Sequence, residues 1–438
     1  MGFVRRSSIM LLFVAGVVFF PATARAILYI DINAPGGRRM PVALPPFVTA
    51  AGDAALAAGI PKVLADDLGM TALFEVIPSE AYLEKILPSH FAGKLLSFPD
   101  WKLIGAEAVV IGKVEARGDQ VTVEMRLYDS TMGKMMAGRR YSGPARHVRL
   151  IAHKFANEVL YAFTGVRGIF DTEIAFSARP GKGRDKEIYV VGLDGQDARP
   201  ITNNRSFNLF PRWSPDGNTL AYTSFRTGVP VVYLRNLRDG TERALVKFGN
   251  TKSPGCFSPG GDSLYASVSV DGNSDIYRVR ISDAAVEKVV EGWGIEVSPS
   301  ISPDGKKIAF VSNRGGSPQV YVKDLAASSG ERRISHAGGY STSPSWSPGS
   351  DRIAFTSQSG GKFSVYTVNP DGSDQRLLAS GDGDSTDPSY SPDGRYVVYT
   401  FQKKGYSELR IISADGQWGK RLFSGFSGVG SPAWSPRR

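Results

Sequence analysis

Short apolar runs recur at a fixed spacing through the C-terminal part of the chain. They read LAYTS at 220–224, LYASV at 264–268, IAFVS at 308–312, IAFTS at 353–357 and VVYTF at 397–401. Successive runs begin 44 or 45 residues apart, and such a period indicates a repeat architecture. Each run is apolar on both faces, which is typical of a strand sandwiched between neighbouring sheets.

A turn phrase keeps the same period. It reads WSPDG at 213–217 and returns, in full or shortened, at positions 257, 301, 346, 390 and 434. Because Pro presets φ and Gly accepts a positive φ, the phrase predicts a tight turn between two strands. Two more strand-like runs follow in each unit, and the last is short and basic, as at Arg332-Arg333-Ile334, which suits an outer edge. Four strands in about 44 residues predict a β-propeller blade.

The repeat also predicts the number of blades and how the ring closes. The third strand-like run occurs six times, around Tyr189, Tyr233, Tyr277, Tyr321, Tyr366 and Arg410. The first blade has an apolar strand at 174–178 but no turn phrase before it, whereas nothing follows the last phrase at 434–436. We therefore expect an all-β six-bladed propeller over 166–438, closed by the C-terminal strand. An open solenoid would need capping repeats that the sequence does not show.

Residues 27–165 lack the 44-residue period and predict a separate α/β domain. The spacing of apolar residues favours a mixed sheet with antiparallel strands at 106–116, 120–129 and 134–142, and helices at 51–68 and 145–163. His147 and His153 lie six residues apart in the second helix and are interpreted as surface residues rather than ligands.

Residues 1–26 have the pattern of a secretory signal peptide. Arg5 and Arg6 precede an apolar run at 9–20, and Ala24-Arg25-Ala26 fits a small-x-small cleavage site. The apolar run is too short to span a bilayer of about 30 Å. We expect export and cleavage after Ala26, with an uncleaved anchor as the alternative.

Composition and missing motifs argue against several function classes. The formal net charge is +10, but three charges fall in the predicted signal peptide and no basic run concentrates the rest, which argues against nucleic-acid binding. Cys256 is the single cysteine, so an intramolecular disulfide is excluded. The chain has no Gly-x-Ser-x-Gly phrase, Walker A phrase or dinucleotide glycine phrase. We predict no catalytic residues, no enzymatic activity and no bound organic cofactor.

One acidic segment is a candidate metal site. Asp382, Asp384 and Asp387 lie in the stretch GDGDSTD ahead of a predicted inner strand. Such loops lie at the mouth of a propeller channel, where carboxylate oxygens could bind Ca²⁺. The alternative is a solvated acidic turn.

The whole mature chain resembles the TolB family, the periplasmic component of the bacterial Tol–Pal envelope system. The blade phrases are one basis for this resemblance. The others are the opening Ile30-Asp31-Ile32 with the Pro-rich stretch 41–47, and the closing Ser-Pro-Ala-Trp-Ser-Pro at 431–436. The resemblance implies a non-catalytic scaffold, peripheral to membranes, that supports outer-membrane integrity and constriction at cell division.

The resemblance also implies two protein partners. In the family the propeller binds Pal, the peptidoglycan-associated lipoprotein, through loops that correspond here to 249–255 and 294–299. The candidate Pal contacts are Thr251, Lys252, Pro254, Glu296 and Val297, although the family pattern has His, Ala and Thr where this chain has Thr251, Pro254 and Val297. The mature N-terminus engages TolA, and the candidates are Ile27, Leu28, Tyr29, Ile30, Asp31 and Ile32. A plain domain strand is the alternative for this N-terminal segment.

Two other interpretations stay open at this point. A propeller hydrolase or lyase could act on a peptide or sugar in the channel, although the sequence offers no identifiable nucleophile, base or metal set. A propeller could also bind a small ligand or a glycan. Recovery of an OmpA-like lipoprotein from an envelope fraction would support the scaffold, and turnover of a small substrate would support an enzyme.

Overall fold

The structure is a computed structural model that describes residues 38–49, 53–181, 183–326 and 330–437. The predicted signal peptide and the candidate TolA segment at 27–32 lie outside the described residues.

The N-terminal part is a mixed sheet with helices on its faces. Its elements are β1 (Met40–Ala43), β2 (Val48–Thr49), α1 (Ala54–Met70), β3 (Phe74–Val76), α2 (Phe98–Leu103), β4 (Ala108–Arg117), β5 (Gln120–Asp129), β6 (Lys134–Pro144) and α3 (Val148–Thr164), with 3₁₀ turns at Ser79–Ala81, Pro88–Phe91 and Ala145–His147. The strands lie in the order β3-β1-β4-β5-β6, and β2 pairs with β4. Strand β1 is parallel to both neighbours, whereas β4, β5 and β6 are antiparallel, which confirms the mixed α/β prediction.

The long helices form because their apolar residues repeat at helical spacing. Helix α3 buries Ile151, Phe155 and Val159. It ends at Gly165, whose φ of 68° is the left-handed cap conformation that glycine adopts without strain. Helix α1 contains Pro61 and buries its own apolar face against α3 and the sheet. None of the described helices is both long enough and apolar enough to cross a membrane.

In the described residues the remaining strands form six four-stranded antiparallel sheets. These strands are β7 (Glu173–Arg179), β8 (Glu187–Gly192), β9 (Arg199–Pro200), β10 (Asn208–Trp213), β11 (Thr219–Ser224), β12 (Val231–Asn236), β13 (Glu242–Val246), β14 (Lys252–Phe257), β15 (Ser263–Val270), β16 (Asn273–Arg280), β17 (Val286–Val290), β18 (Glu296–Ile301), β19 (Lys307–Ser312), β20 (Gln319–Asp324), β21 (Arg332–Arg333), β22 (Tyr340–Trp346), β23 (Ile353–Ser359), β24 (Lys362–Val368), β25 (Arg376–Ala379), β26 (Asp384–Tyr390), β27 (Tyr396–Lys403), β28 (Tyr406–Ser413), β29 (Gly419–Phe423) and β30 (Ser427–Trp434). Blade 1 has the order β30-β7-β8-β9, and blades 2 to 6 follow along the chain from β10 to β29. The six-bladed propeller is confirmed.

The C-terminal strand closes the ring as the sequence predicts. Strand β30 pairs with β7 as the inner strand of blade 1. The indole N–H of Trp434 donates to Thr172 Oγ1 at 2.8 Å, and the backbone N–H of Ser435 donates to the carbonyl of Glu173 at 2.8 Å. Hydrogen bonds from both ends of the propeller sequence therefore hold one blade together.

The recurring turn phrase has a local hydrogen-bond reason. In blade 6, Ser391 Oγ donates to Asp393 Oδ1 at 2.6 Å and accepts the backbone N–H of Tyr396 at 3.0 Å. Gly394 has a φ of 74°, and a Cβ there would lie 3.3 Å from Pro348 in the preceding blade. The phrase thus both makes the turn and packs one blade on the next.

Blades 1 and 6 share a continuous apolar core with the N-terminal domain. This core joins residues of α1, α3 and the mixed sheet to residues of β7, β8, β27 and β28. The hydroxyl of Tyr396 donates to the carbonyl of Met70 at 2.9 Å inside the contact. The N-terminal domain is therefore packed against one sector of the propeller.

Candidate partner-binding face

The loops that lead into the inner strands all lie at one end of the propeller. Since adjacent strands in a blade run in opposite directions, the hairpin between the second and third strands opens at this same end. We call this end the entry face. It consists of those hairpins and of loops 201–207, 247–251, 291–295, 334–339, 380–383 and 424–426. Neighbouring segments are bonded together, as where Asn273 Nδ2 donates to the carbonyl of Gly292 at 2.7 Å.

Large apolar side chains are exposed on the entry face. Trp293 is 80% exposed and Ile295, in the same loop, is 49% exposed. Further exposed members are Phe207, Phe225, Val229, Val270, Tyr340 and Tyr406. Among the described propeller residues, the exposed large hydrophobic side chains elsewhere are Phe210 at the channel, Val286 and Leu377. Such a concentration of aromatic and apolar surface is typical of a protein-binding site.

Buried and partly buried polar groups hold the loop that presents Trp293. Arg314 forms ion pairs with Glu296 and Glu331, both at 2.9 Å. Asn313 Oδ1 accepts the backbone N–H of Ile295 at 2.7 Å. A Cβ at Gly294 would lie 3.0 Å from side-chain oxygens of both Asn313 and Glu296, so glycine allows the loop to approach this close. The indole therefore projects from a base that is already ordered.

The predicted Pal contacts differ in how far their side chains are buried. Lys252 is 3% exposed, and its Nζ donates to the carbonyl of Pro230 at 2.8 Å. Glu296 is 0% exposed and accepts from Ser312 Oγ at 3.0 Å, and Pro254 is buried as well. All three side chains are buried in the unbound chain, and their role as direct Pal contacts stays a prediction. Thr251 is exposed and Val297 is half-buried, and both stay predictions.

Sequence reasoning missed the most exposed large apolar side chain of the face. It began the second candidate loop at Gly294, one residue after Trp293. The available signal was the triplet Gly292-Trp293-Gly294, in which a large aromatic residue lies between two glycines outside any strand pattern. A tryptophan in that setting has no strand neighbours to bury it.

The inner strands line a central channel with a cavity of about 180 Å³. Each inner strand contains a β-bulge at this level, and Phe210, Ser298, Ser343, Asp387 and Ser431 have a positive φ there. Cys256 also lines the cavity, and burial raises the pKa of its thiol to about 12. The thiol is therefore protonated at neutral pH, as expected of a structural cysteine.

The three aspartates predicted as calcium ligands have separate partners. Asp382 pairs with Lys403, and Asp384 Oδ1 accepts the backbone N–H of Phe363 at 2.9 Å. Asp387 lies at the channel, where Oδ1 accepts from Ser343 Oγ at 2.8 Å. Within the part of the chain that the structure describes, no three His, Cys, Asp or Glu side chains are grouped to hold a metal ion. The carboxylates do not converge, so this geometry does not form the predicted calcium site.

A buried charge cluster links the N-terminal domain to blade 1. His153 of α3 is 6% exposed, so its interpretation as a surface residue is wrong, whereas His147 is exposed. The Nδ1 of His153 lies 2.7 Å from Asp67 Oδ2 of α1, and the Nε2 of His153 lies 3.1 Å from Asp194 Oδ2 in the turn after β8. Arg149 also pairs with Asp194. Burial opposes the charged imidazole, but the hydrogen bonds to Asp194 and Asp67 outweigh it and raise the pKa of His153 to about 9.

Two family models match the chain in agreement with this architecture. The TolB amino-terminal domain matches residues 28–136, and the TolB beta propeller domain matches residues 161–438. The chain belongs to the TolB family. The family resemblance seen in the blade phrases is thereby confirmed.

Named relatives and a solved structure agree with TolB membership. The chain is 34% identical over 327 residues to the "Protein TolB homolog" of Chlorobium luteolum, covering 74% of this chain and 73% of the relative. It is 36% identical over 288 residues to the "Tol-Pal system protein TolB" of Desulfosudis oleivorans, covering 65% of each. The crystal structure of TolB from Acinetobacter baumannii superposes with a TM-score of 0.76 at 28% identity, covering 92% of this chain and 98% of that one. These TolB relatives include a named component of the Tol–Pal system.

Proposed function

We propose that this chain is a non-catalytic periplasmic scaffold of the Tol–Pal system. Its entry face binds Pal, and the N-terminal segment at 27–32 binds TolA. Family membership supports the system, since a relative over 65% of the chain is named a Tol–Pal system protein. The choice of these two partners rests on the resemblance of the blade phrases and termini to the TolB family.

The observation that carries the Pal proposal is the exposed Trp293 on its braced loop. Trp and Tyr side chains dominate the binding energy of many interfaces, because they bury a large area with few rotatable bonds. Ile295 extends the same apolar surface, and the ion pairs of Arg314 keep the loop base in place. An anchor that is ordered before binding loses little conformational entropy when the partner covers it.

The decisive experiment compares two exposed apolar side chains at opposite ends of the propeller. Isothermal titration with the cognate Pal measures Kd for the mature chain, for Trp293→Ala and for Val286→Ala. We expect Trp293→Ala to raise Kd about 30-fold, the scale of one lost anchor, and Val286→Ala to leave Kd unchanged. The thermal unfolding midpoint of each variant checks that the fold is retained. An unchanged Kd for both Trp293→Ala and Ile295→Ala would refute the assignment of the face.

The TolA part of the proposal is tested separately. A variant that lacks residues 27–32 is compared with the mature chain for binding to the cognate TolA and to Pal. We expect TolA binding to be lost while Pal is still bound, because the entry face is intact in this variant. Retention of TolA binding at the original Kd would exclude the segment as the TolA site.

A further inference from the structure

A pocket of about 570 Å³ opens on the entry face where blades 5, 6 and 1 meet. Five cationic side chains line it, from the hairpins between the second and third strands of three blades: Arg179, Lys186, Lys362, Lys403 and Lys404. We call it the basic pocket. Two carboxylates, those of Asp382 and Asp384, also line it, so positive charge is in excess.

The carboxylates neutralise only part of this charge. Asp382 pairs with Lys403, while Asp384 accepts a backbone N–H from the neighbouring hairpin. Among the described residues, four cations of the pocket form no ion pair: Arg179, Lys186, Lys362 and Lys404. Because these cations have no ion-pair partner of their own, the pocket keeps an excess of positive charge that attracts an anion.

Two of these cations converge on one glycine. A Cβ at Gly428 would lie 3.1 Å from Arg179 Nη1 and 3.3 Å from Lys186 Cε, so both side chains lie over the same backbone position. Lys186 is half-buried, and burial, together with the nearby Arg179, lowers the pKa of its ammonium. Glycine at 428 therefore lets the two cationic side chains lie close together over the backbone at the edge of the pocket.

We propose that the basic pocket binds an acidic peptide segment of the protein that docks on the entry face. This inference rests on the proposed function, because it assumes a protein partner on that face. The cations come from three separate hairpins, so they fit several carboxylates spaced along a chain better than one compact anion. Exposed Tyr406 lines the same pocket and belongs to the apolar surface of the face, so the two surfaces are continuous. Guanidinium and ammonium groups form charge-assisted hydrogen bonds to carboxylates.

The first test removes the two converging cations. Isothermal titration of the mature chain uses a synthetic hexapeptide of alternating Asp and Glu, with inorganic phosphate as a separate probe. We expect the variant Arg179→Gln/Lys186→Gln to bind the peptide at least about tenfold more weakly, the scale of one lost charge-assisted hydrogen bond. The control Lys306→Gln/Arg332→Gln removes the same charge from exposed positions away from the pocket and should bind like the parent. Raising the salt from about 0.05 M to about 0.5 M should weaken binding to the parent chain.

A second variant guards against a folding defect in the first. Lys362→Gln/Lys404→Gln changes two exposed hairpin side chains and should also weaken peptide binding. Equal peptide affinity in the parent and both pocket variants would overturn the proposal. Phosphate that binds the parent while the peptide does not would replace it with a compact-anion site.

Titration with Pal separates this inference from the proposed function. Suppose that Trp293→Ala weakens Pal binding but neither pocket variant changes the affinity for Pal or for the peptide. The proposal that the basic pocket binds a peptide is then wrong, and the assignment of Pal to the entry face stands. If the pocket variants weaken peptide binding while neither Trp293→Ala nor Ile295→Ala changes Kd for Pal, the peptide site in the pocket stands and the assignment of Pal to the entry face is wrong.

Discussion

His153 of α3 holds Asp194 of the first blade across the contact between the two domains, with Nε2 and Oδ2 3.1 Å apart. The same ring contacts Asp67 on its other side, and burial raises the pKa of that carboxyl to about 6 despite the hydrogen bond from His153. Although burial acts in the opposite sense, the hydrogen bonds from His153 and Arg149 hold the pKa of Asp194 below its ordinary value. One imidazolium therefore connects α1, α3 and the propeller.

The first prediction concerns the pH dependence of this link. The pKa of His153 is about 9 in the folded chain and near 6.5 in a model peptide, so the folded state binds the proton more tightly. Its contribution to stability is fully present below pH 6.5 and is lost as pH rises through 9. We expect His153→Gln to lower the free energy of unfolding by about 3 kcal/mol near pH 7, since it removes the cationic partner of the buried Asp67 carboxyl and leaves Asp194 paired with Arg149 alone. The difference in the free energy of unfolding between His153→Gln and the parent chain should become smaller toward pH 10.

Urea denaturation at pH 6 to 10 measures this difference, with His147→Gln as the matched control. His147 is exposed at the start of the same helix, so its replacement should leave the free energy of unfolding nearly unchanged. A deficit for His153→Gln that is the same at pH 7 and pH 10 would show that packing, rather than the charge, accounts for the effect.

The contrast between His153 and the blade turns shows what sequence could and could not predict. Ser391, Asp393 and Gly394 make their turn with neighbours within five residues, and the same local chemistry recurs in the repeat. The propeller could therefore be predicted from the spacing of the repeated phrases alone. His153 is paired with residues 86 and 41 positions away, so its burial depends on how two domains pack. No local pattern encodes that contact.

The candidate face was predictable only in part, for a similar reason. The family resemblance pointed to 249–255 and 294–299, which lead into inner strands from the entry face, but the side chains within them alternate between solvent and the blade interior. Lys252 and Glu296 fall on the interior side, where hydrogen bonds and an ion pair compensate their burial. Trp293 lies in a segment without periodicity, so alternation could not assign it to either side.

A second prediction distinguishes two roles of Lys252, which are to stabilise the loop and to contact a partner directly. Lys252→Glu should lower the free energy of unfolding by about 3 kcal/mol, because it buries a carboxylate with no cation to pair with it. Lys252→Met keeps the buried length and should cost about 1 kcal/mol while leaving Kd for Pal unchanged. Thr251→Glu, at the adjacent exposed position, is the comparison that should raise Kd without loss of stability. A large rise in Kd for Lys252→Met at full stability would instead identify Lys252 as a direct contact.

A third prediction is that Cys256 reacts slowly in the folded chain. Burial raises the pKa of its thiol to about 12, so thiolate is rare at pH 8. We expect alkylation by iodoacetamide to be about a thousandfold slower than for a free cysteine, and fast labelling in concentrated urea. Mass spectrometry of timed samples gives both rates. Labelling of the folded chain at the rate of free cysteine would instead indicate an exposed thiolate.

The last prediction concerns the packing of inner strands around the channel. A Cβ at Gly255 would lie 2.3 Å from Pro299 Cγ and 2.4 Å from its carbonyl oxygen, so Gly255→Ala must push blades 3 and 4 apart. The carbonyl of Gly255 also accepts from Arg212 Nε at 2.6 Å, a bond that such a shift would strain. We expect a loss of about 1–3 kcal/mol, seen as a lower thermal midpoint in calorimetry. Gly430→Ala, in the inner strand β30, is the matched control. A Cβ at Gly430 would have no neighbouring atom within 4 Å. Equal midpoints for the two variants would mean that the inner strands of blades 3 and 4 can separate without cost, and the ring would then be looser than its contacts indicate.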